Sequence, residues 1–308
     1  MKDTRYMITT DLTGNFGNSA FQIATIRSIA SDLGYEWGTP SSFSYDYHRG
    51  MNQFFFMDMD FGKPVHGIEN TICEKWSFYN HADRVNITRL DKDLYSIKDN
   101  TKVYGHNSAA GALLQSDDYF WHRRDEVKEW FRYNTEHKER LALRCGDLGI
   151  SFGDELCVIN VRGGEYRSIP ACLLRSEYWK MAMEAKLKEN PKMQFICVSD
   201  DPGYASALFP DIRVIHEGID LDFYIVNNAK ELILANSTFS WWAAWLGNAE
   251  ASRIIAPKYW ARWNVSDGYW SIGDSWSRRF TYMDREGLLS DSESCKKMAE
   301  DYYKKRLL

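Results

Sequence analysis

Short apolar runs alternate with helical stretches between residues 156 and 256, and this alternation constrains the fold more than any other feature. Five runs typical of buried strands lie at 156–161, 194–198, 212–215, 232–235 and 253–256. Four segments with helical periodicity separate them, at 175–188, 202–208, 221–229 and 239–246. Strands that alternate with helices predict a parallel sheet covered by helices on both faces. The C-terminal part of the chain is therefore predicted to be an α/β unit.

The N-terminal part opens with a strand, a glycine loop and a helix. Residues 6–11 are a predicted strand, 13–18 contain two glycines, and 19–33 carry apolar residues at helical spacing. Residues 36–105 are rich in aromatic residues and show no clean period, so we predict loops and short elements around a groove there, followed by a helix at 117–133. A chain of 308 residues exceeds the size at which one core keeps growing, so we expect two lobes. Their predicted bounds, with a helical C-terminal extension, are 1–148, 149–270 and 271–308.

Composition excludes several partners. The formal net charge of −5 gives no electrostatic basis for binding nucleic acid or an anionic membrane. The six cysteines form no CxxC pair, so neither a zinc site nor a redox motif is predicted. No signal peptide is evident, and no apolar run approaches the ~20 residues of a membrane span. We therefore predict a cytoplasmic protein without a transmembrane segment.

Polar clusters follow three of the predicted strands, where ligands bind in parallel sheets. Arg162 follows the first strand and can bind two phosphate oxygens at once. Asp200 and Asp201 follow the second; they suit ribose hydroxyls or the donor edge of guanine, but could also hold a metal or cap the next helix. Ser237 or Thr238 caps a predicted helix whose N-terminus favours an anion. Together these groups predict a nucleotide diphosphate pocket.

Ordered motifs from residue 8 to residue 260 resemble those of the inverting α-1,2-fucosyltransferases, glycosyltransferase family 11, within the superfamily that includes α-1,6- and protein O-fucosyltransferases. The matching segments are GNFGNSAFQ at 14–22, YG at 104–105 with QSDDYF at 115–120, NVRGGEY at 160–166, SDD at 199–201, NSTFSWWAAW at 236–245 and IAP at 255–257. Four positions depart from the family pattern. Asn160 stands in place of a histidine, Gly163 of an arginine, Glu165 of an aspartate and Ser19 of a glutamine.

The resemblance implies a GT-B fold, in which two Rossmann-like lobes enclose the active site in a cleft. The C-terminal lobe would bind GDP-β-L-fucose, and the N-terminal lobe an acceptor oligosaccharide. Fucose would move with inversion to a hydroxyl, galactose O2 by the family pattern, with no metal or other cofactor. Transfer of a different GDP-sugar and a non-catalytic role in binding nucleotides or glycans stay open as alternatives, as do the acceptor and the oligomeric state.

The resemblance also assigns roles to residues. Arg162 would hold the donor β-phosphate and stabilise the charge that develops on the leaving diphosphate. Glu165 is the first candidate for the general base, although a carboxylate there could instead anchor the loop, and Asp11 is the second candidate. The predicted substrate-binding residues are Asn18, Asn160, Asp200, Asp201, Asn236, Ser237, Thr238 and Phe239.

Overall fold

The computed structural model describes residues 6–40, 51–73, 75–78, 84–88, 97–104, 114–260 and 276–306. The chain divides into two compact units, unit 1 comprising Met1–Tyr79 with Arg84–Asn134 and unit 2 comprising Asn80–Asp83 with Thr135–Leu308. Each unit contains a parallel sheet, which confirms the predicted α/β class. The division follows Asn134, whereas the predicted lobe boundary lies at residue 148. Gly105 of the second motif lies outside the described residues.

Unit 1 is built on a four-stranded parallel sheet of order β2-β1-β6-β3. Its elements are β1 (Met7–Thr9), α1 (Phe16–Leu33), β2 (Glu36–Gly38), β3 (Asn70–Cys73), β4 (Lys75–Phe78), β5 (Arg84–Thr88), β6 (Thr101–Tyr104) and α2 (Arg124–Trp130). Strands β4 and β5 form a separate antiparallel pair. The short elements predicted within residues 36–105 are short strands, and three of them belong to the four-stranded parallel sheet, which the sequence analysis did not predict. The predicted helix at 117–133 consists of two 3₁₀ turns followed by the short helix α2.

Helix α1 is the central buried element of unit 1. Thirteen of its 18 residues are buried, and the helix ends at Gly34, which adopts the left-handed conformation with φ 69°. Such a residue is the usual helix terminator, because glycine has no Cβ to clash there. Phe16, in the first turn, packs against Phe54 with ring centroids 4.6 Å apart. The glycine loop that precedes α1 is therefore held against a rigid aromatic core.

Unit 2 is built on a seven-stranded sheet of order β13-β12-β11-β10-β7-β8-β9. Its elements are α3 (Thr135–Asp147), β7 (Leu156–Val161), α4 (Ser176–Glu189), β8 (Gln194–Ser199), α5 (Pro202–Leu208), β9 (Arg213–Ile215), α6 (Ile219–Asn228), β10 (Glu231–Ile233), α7 (Thr238–Leu246), β11 (Ile254–Pro257), β12 (Thr281–Met283), β13 (Leu289–Ser290) and α8 (Ser292–Arg306). Among the strands that the structure describes in this sheet, only β13 runs antiparallel to its neighbour. The predicted alternation of strands and helices is thus confirmed.

The predicted C-terminal extension, 271–308, contributes to this sheet as well as ending in helix α8. Strand β12 pairs in parallel with β11, and β13 pairs with β12. Among the described residues, no helix combines the length and the apolar character that a bilayer span requires.

Candidate functional site

The polar clusters predicted to meet at the sheet edge of unit 2 do meet there. Strand β7 lies between β10 and β8, so the carboxyl ends of all three are neighbours. Val161, the last residue of β7, pairs with Ser199, the last residue of β8. Because Arg162 and Asp200 each follow directly, their side chains extend from adjacent strand ends.

Arg162 is held by three side chains. One terminal guanidinium nitrogen, Nη1, donates to Oδ2 of Asp200, and the other, Nη2, donates to Oε1 of Glu165 at 2.9 Å. The guanidinium carbon lies 5.6 Å from the ring centroid of Tyr166. Only 23% of the Arg162 side chain is exposed, against 57% of Glu165. The guanidinium is therefore fixed on the Asp200 side and more accessible on the Glu165 side.

Space, rather than a special backbone angle, requires glycine after Arg162. Gly163 has φ −106°, which any residue adopts, but a Cβ there would lie 2.6 Å from Cβ of Asp201. A Cβ on Gly164 would clash with Oδ2 of Asp200. The backbone N–H of Gly163 also donates to Oδ1 of Asp200 at 2.8 Å. The arginine that the family pattern has at position 163 would therefore displace Asp201 in this chain.

The two adjacent aspartates make different contacts. Asp201 caps α5, accepting the backbone N–H of Tyr204 at 3.0 Å, as one reading of the sequence expected. Its other carboxylate oxygen lies 3.3 Å from Nη1 of Arg167, whose side chain is 63% exposed. Asp200 instead positions Arg162. Within the part of the chain that the structure describes, no group of three or more His, Cys, Asp or Glu side chains has an arrangement suited to a metal ion.

The loop after β10 is tied to the loop after β7. The hydroxyl of Tyr166 donates to the carbonyl oxygen of Asn236 at 3.0 Å. The side-chain amide of Asn236 donates to the carbonyl oxygen of Cys172 at 2.8 Å and to that of Trp260. Burial raises the pKa of Tyr166, so its hydroxyl stays protonated. The segment that begins α7 is thereby fixed next to the Arg162 loop.

Helix α7 begins as the sequence predicts. Ser237 is its N-cap, its side chain makes no capping hydrogen bond, and the first turn contains no acidic residue. Thr238 is the first helical residue, and the Phe239 ring packs edge-on against Phe223 with centroids 5.4 Å apart. A helix N-terminus without an acidic side chain favours an anionic ligand.

The other predicted residues lie in two different places. Asn160, in β7, is 5% exposed, and its amide donates to the carbonyl oxygen of Val198 at 3.3 Å. In unit 1, Oδ1 of Asn18 accepts from Nε2 of Gln115 at 2.8 Å. Also in unit 1, the carboxylate of Asp11 forms an ion pair with Lys102 at 2.8 Å. The structure thus brings together the predicted residues that follow β7, β8 and β10, while Asn18 and Asp11 belong to the other unit.

Sequence reasoning missed a histidine–aspartate pair at the same sheet edge. His216 follows β9 directly, and its Nδ1 lies 2.6 Å from Oδ2 of Asp222 in α6. The backbone N–H of Glu217 donates to the other carboxylate oxygen at 3.3 Å. Burial raises the pKa of Asp222 to about 6, although His216 opposes that shift. The available signal was a histidine placed directly after a predicted strand.

Comparisons with known proteins all identify glycosyltransferases. The sequence model described as Glycosyl transferase family 11 matches residues 1–267. An Escherichia coli protein named alpha-1,2-colitosyltransferase is 28% identical over 207 residues, which span 62% of this chain and 68% of that protein. The Escherichia coli O-antigen biosynthesis glycosyltransferase WbnK is 28% identical over 155 residues, 44% of this chain and 50% of that protein.

Solved structures of fucosyltransferases are also similar to this chain. A crystal structure of POFUT1 in complex with GDP-fucose has a TM-score of 0.49 at 10% identity, with 83% of this chain and 98% of that one covered. A structure of the fucosyltransferase NodZ from Bradyrhizobium has a TM-score of 0.46 at 15% identity, covering 79% and 93% of the two chains.

Proposed function

Because the chain belongs to glycosyl transferase family 11, whose sequence model covers residues 1–267, we propose that it transfers fucose from GDP-β-L-fucose to a hydroxyl of an acceptor glycan. The family resemblance predicted from the motifs is confirmed by this match, and glycosyl transfer follows from membership. The donor, the acceptor hydroxyl at galactose O2 and the inversion of configuration are proposals, and the site of unit 2 supports the binding of a donor diphosphate.

The position of Arg162 is the observation that carries this proposal. In glycosyl transfer the bond between the sugar and the diphosphate breaks, and negative charge accumulates on the leaving group. A guanidinium held in place before the reaction stabilises that charge without having to reorganise. Arg162 meets this requirement because Asp200 and the face of Tyr166 fix its orientation.

Arg162 has one side available for a phosphate. Asp200 binds Nη1 and is itself tied to the Gly163 N–H, so that contact belongs to the scaffold. Glu165 binds Nη2 from a more exposed position, three residues along the chain. We propose that a donor phosphate oxygen replaces Glu165 on Nη2 while Asp200 keeps its place. The N-terminus of α7, at Ser237 and Thr238, would receive a second phosphate oxygen.

Displacement of Glu165 would also release a carboxylate beside the reacting centre. Once free, Glu165 could accept the proton of the attacking acceptor hydroxyl. In a direct displacement, that hydroxyl oxygen bonds to the anomeric carbon as the bond to the diphosphate oxygen breaks, which inverts the configuration. We propose that no metal ion takes part, since Asp200 and Asp201 are already engaged.

A different deoxysugar donor is the second candidate, since one relative is named for colitosyl transfer. Gly163 stands where the family pattern has an arginine, which removes one positive charge beside the proposed diphosphate and is a second reason to test other donors. A donor panel separates the candidates. The purified full chain is incubated with GDP-fucose, GDP-colitose, GDP-mannose and, as a control, UDP-galactose, with and without galactose-terminated acceptors.

Release of GDP from one donor and an α-linked product, identified by NMR, are the expected results. Preference for GDP-colitose would replace the fucose assignment. Tight binding of GDP without turnover of any donor would favour the non-catalytic alternative.

A further inference from the structure

A cavity of about 260 Å³ lies in unit 2 at the carboxyl ends of β11 and β12. Pro257 and Met283, the last residues of these strands, line it together with Tyr178 and Met181 from α4. None of its lining residues belongs to the proposed donor site around Arg162. Because ligands of parallel sheets bind beyond the carboxyl ends of the strands, the cavity has a position suited to a second ligand.

The size and lining of the cavity suit one sugar ring. At ~30 Å³ for each water, its volume equals roughly nine water molecules, enough for a pyranose but not for an oligosaccharide. Leu174, Met181, Pro257 and Met283 provide apolar surface, and charged side chains stand beside them. A pyranose has the same amphipathic character, with C–H groups on its faces and hydroxyls at its edge.

Three basic and three acidic side chains line the cavity, so its formal charges balance. The carboxylate of Asp284 accepts backbone N–H groups of Glu286 at 3.0 Å and Leu288 at 2.9 Å, so it belongs to a turn. Arg285 pairs with Glu286. Arg175, Lys258 and Glu177 make up the rest of the charged lining.

Lys258 is the side chain that most favours an anionic ligand in this cavity. Its residue is only 7% exposed, yet no carboxylate of the described residues lies within ion-pair distance of its ammonium group. The ammonium group instead contacts the thioether sulfur of Met298 at 3.4 Å and the ring of Tyr259 at 5.5 Å. A buried charge without a counter-charge is unfavourable, and an anion bound beside it would relieve that cost.

We propose that this cavity binds a sugar ring that carries an anionic group, a carboxylate or a phosphate, through Lys258 and Arg175. Pro257 and Lys258 also line a smaller cavity, of about 30 Å³, together with Asn236 and Ser237 of the proposed donor site. Given the proposed function, this proximity to the donor site assigns the bound sugar to the acceptor glycan. That last step rests on the proposed function, whereas the binding itself does not.

Calorimetry on the full chain without any donor tests the binding directly. The probes are methyl β-glucuronide, glucose 6-phosphate, the neutral methyl β-glucoside and inorganic phosphate. At least one anionic sugar should bind, and Lys258→Met should weaken it tenfold or more, because a hydrogen bond to a charged group is lost. Arg175→Met, at an exposed position, gives a second variant in case Lys258→Met fails to fold. Lys180→Met, on α4 outside the cavity, is the matched control and should change nothing.

Each result has one meaning. Selective binding of the glucuronide identifies a carboxylate sugar, and selective binding of the sugar phosphate identifies a phosphorylated one; both support the proposal. Equal binding of the neutral glucoside, binding of inorganic phosphate with the affinity of the sugars, or no binding at all would overturn it. GDP binding measured on the same samples keeps this outcome separate from failure of the proposed function.

Discussion

Replacement of Glu165 by glutamine should separate donor binding from turnover. The structure places Oε1 of Glu165 2.9 Å from Nη2 of Arg162, where it competes with the proposed phosphate. Glutamine keeps the shape of the side chain but loses the charge and the ability to accept a proton. We therefore expect the variant to bind GDP more tightly than the wild type and to turn over more slowly.

The two magnitudes follow from different physical effects. Glu165 is 57% exposed and Arg162 is 23% exposed, so the pair resembles surface ion pairs that contribute about 0–1 kcal/mol. Relief of that competition corresponds to GDP affinity up to ~5-fold higher. Loss of a general base typically lowers kcat by 10²–10⁴-fold, about 3–5 kcal/mol of transition-state stabilisation.

The assay combines calorimetry with GDP and initial rates with the donor that the panel identifies. Glu126→Gln is a closely matched control, because Glu126 pairs with Arg123 at the same spacing, also at 2.9 Å and with side chains 21% and 54% exposed. That variant should leave both quantities within about twofold of wild type. Weaker GDP binding by Glu165→Gln would refute the competition, and an unchanged kcat would refute the role as base.

Three further results are expected. Lys186→Met should lower the free energy of unfolding in urea by up to about 3–5 kcal/mol, because it removes the 2.6 Å partner of the buried Glu231 carboxylate and leaves it with Arg253 at 3.4 Å; changing both Lys186 and Glu231 to apolar residues should cost less. The wild type should lose stability as pH rises from about 3.8 to about 6, because folding raises the pKa of Asp222. Asp222→Asn should abolish this loss, which parallel denaturant titrations of the two proteins would check. Transfer should continue fully in EDTA, because Asp200 and Asp201 are held by protein groups; a strict need for added manganese would contradict metal independence.

The sheet of unit 2 was predictable because its central strands are buried on both faces. Such strands are continuous apolar runs, and Leu156–Val161 was predicted to the residue, as was the helix Pro202–Leu208 after its proline. In unit 1, Glu36–Gly38 and Thr101–Tyr104 are three or four residues long and contain charged side chains. Runs that short carry no periodicity, so only their pairing within the sheet, with β1 and for Thr101–Tyr104 also with β3, identifies them as strands.

Sheet topology made it possible to predict which residues of the site lie close together. Parallel strands that end together bring Arg162 and Asp200 to one edge, whatever their detailed contacts. The sequence could not distinguish the roles of Asp200 and Asp201, because that depends on which carboxylate faces the helix start and which faces the guanidinium. It also gave no sign that Asp201 occupies the space beside Gly163, which depends on the packing of two loops.

The most direct test of the central claim is GDP binding by Arg162→Ala, measured by calorimetry at fixed salt. A charged hydrogen bond at a developing charge is worth ~3 kcal/mol, so we expect GDP affinity or transfer to fall by roughly a hundredfold. Arg132→Ala, which removes an exposed arginine paired with Asp58 at 3.3 Å in unit 1, controls for the change in total charge and should behave as wild type. If Arg162→Ala folds normally and binds GDP and turns over like the wild type, Arg162 does not hold the donor diphosphate.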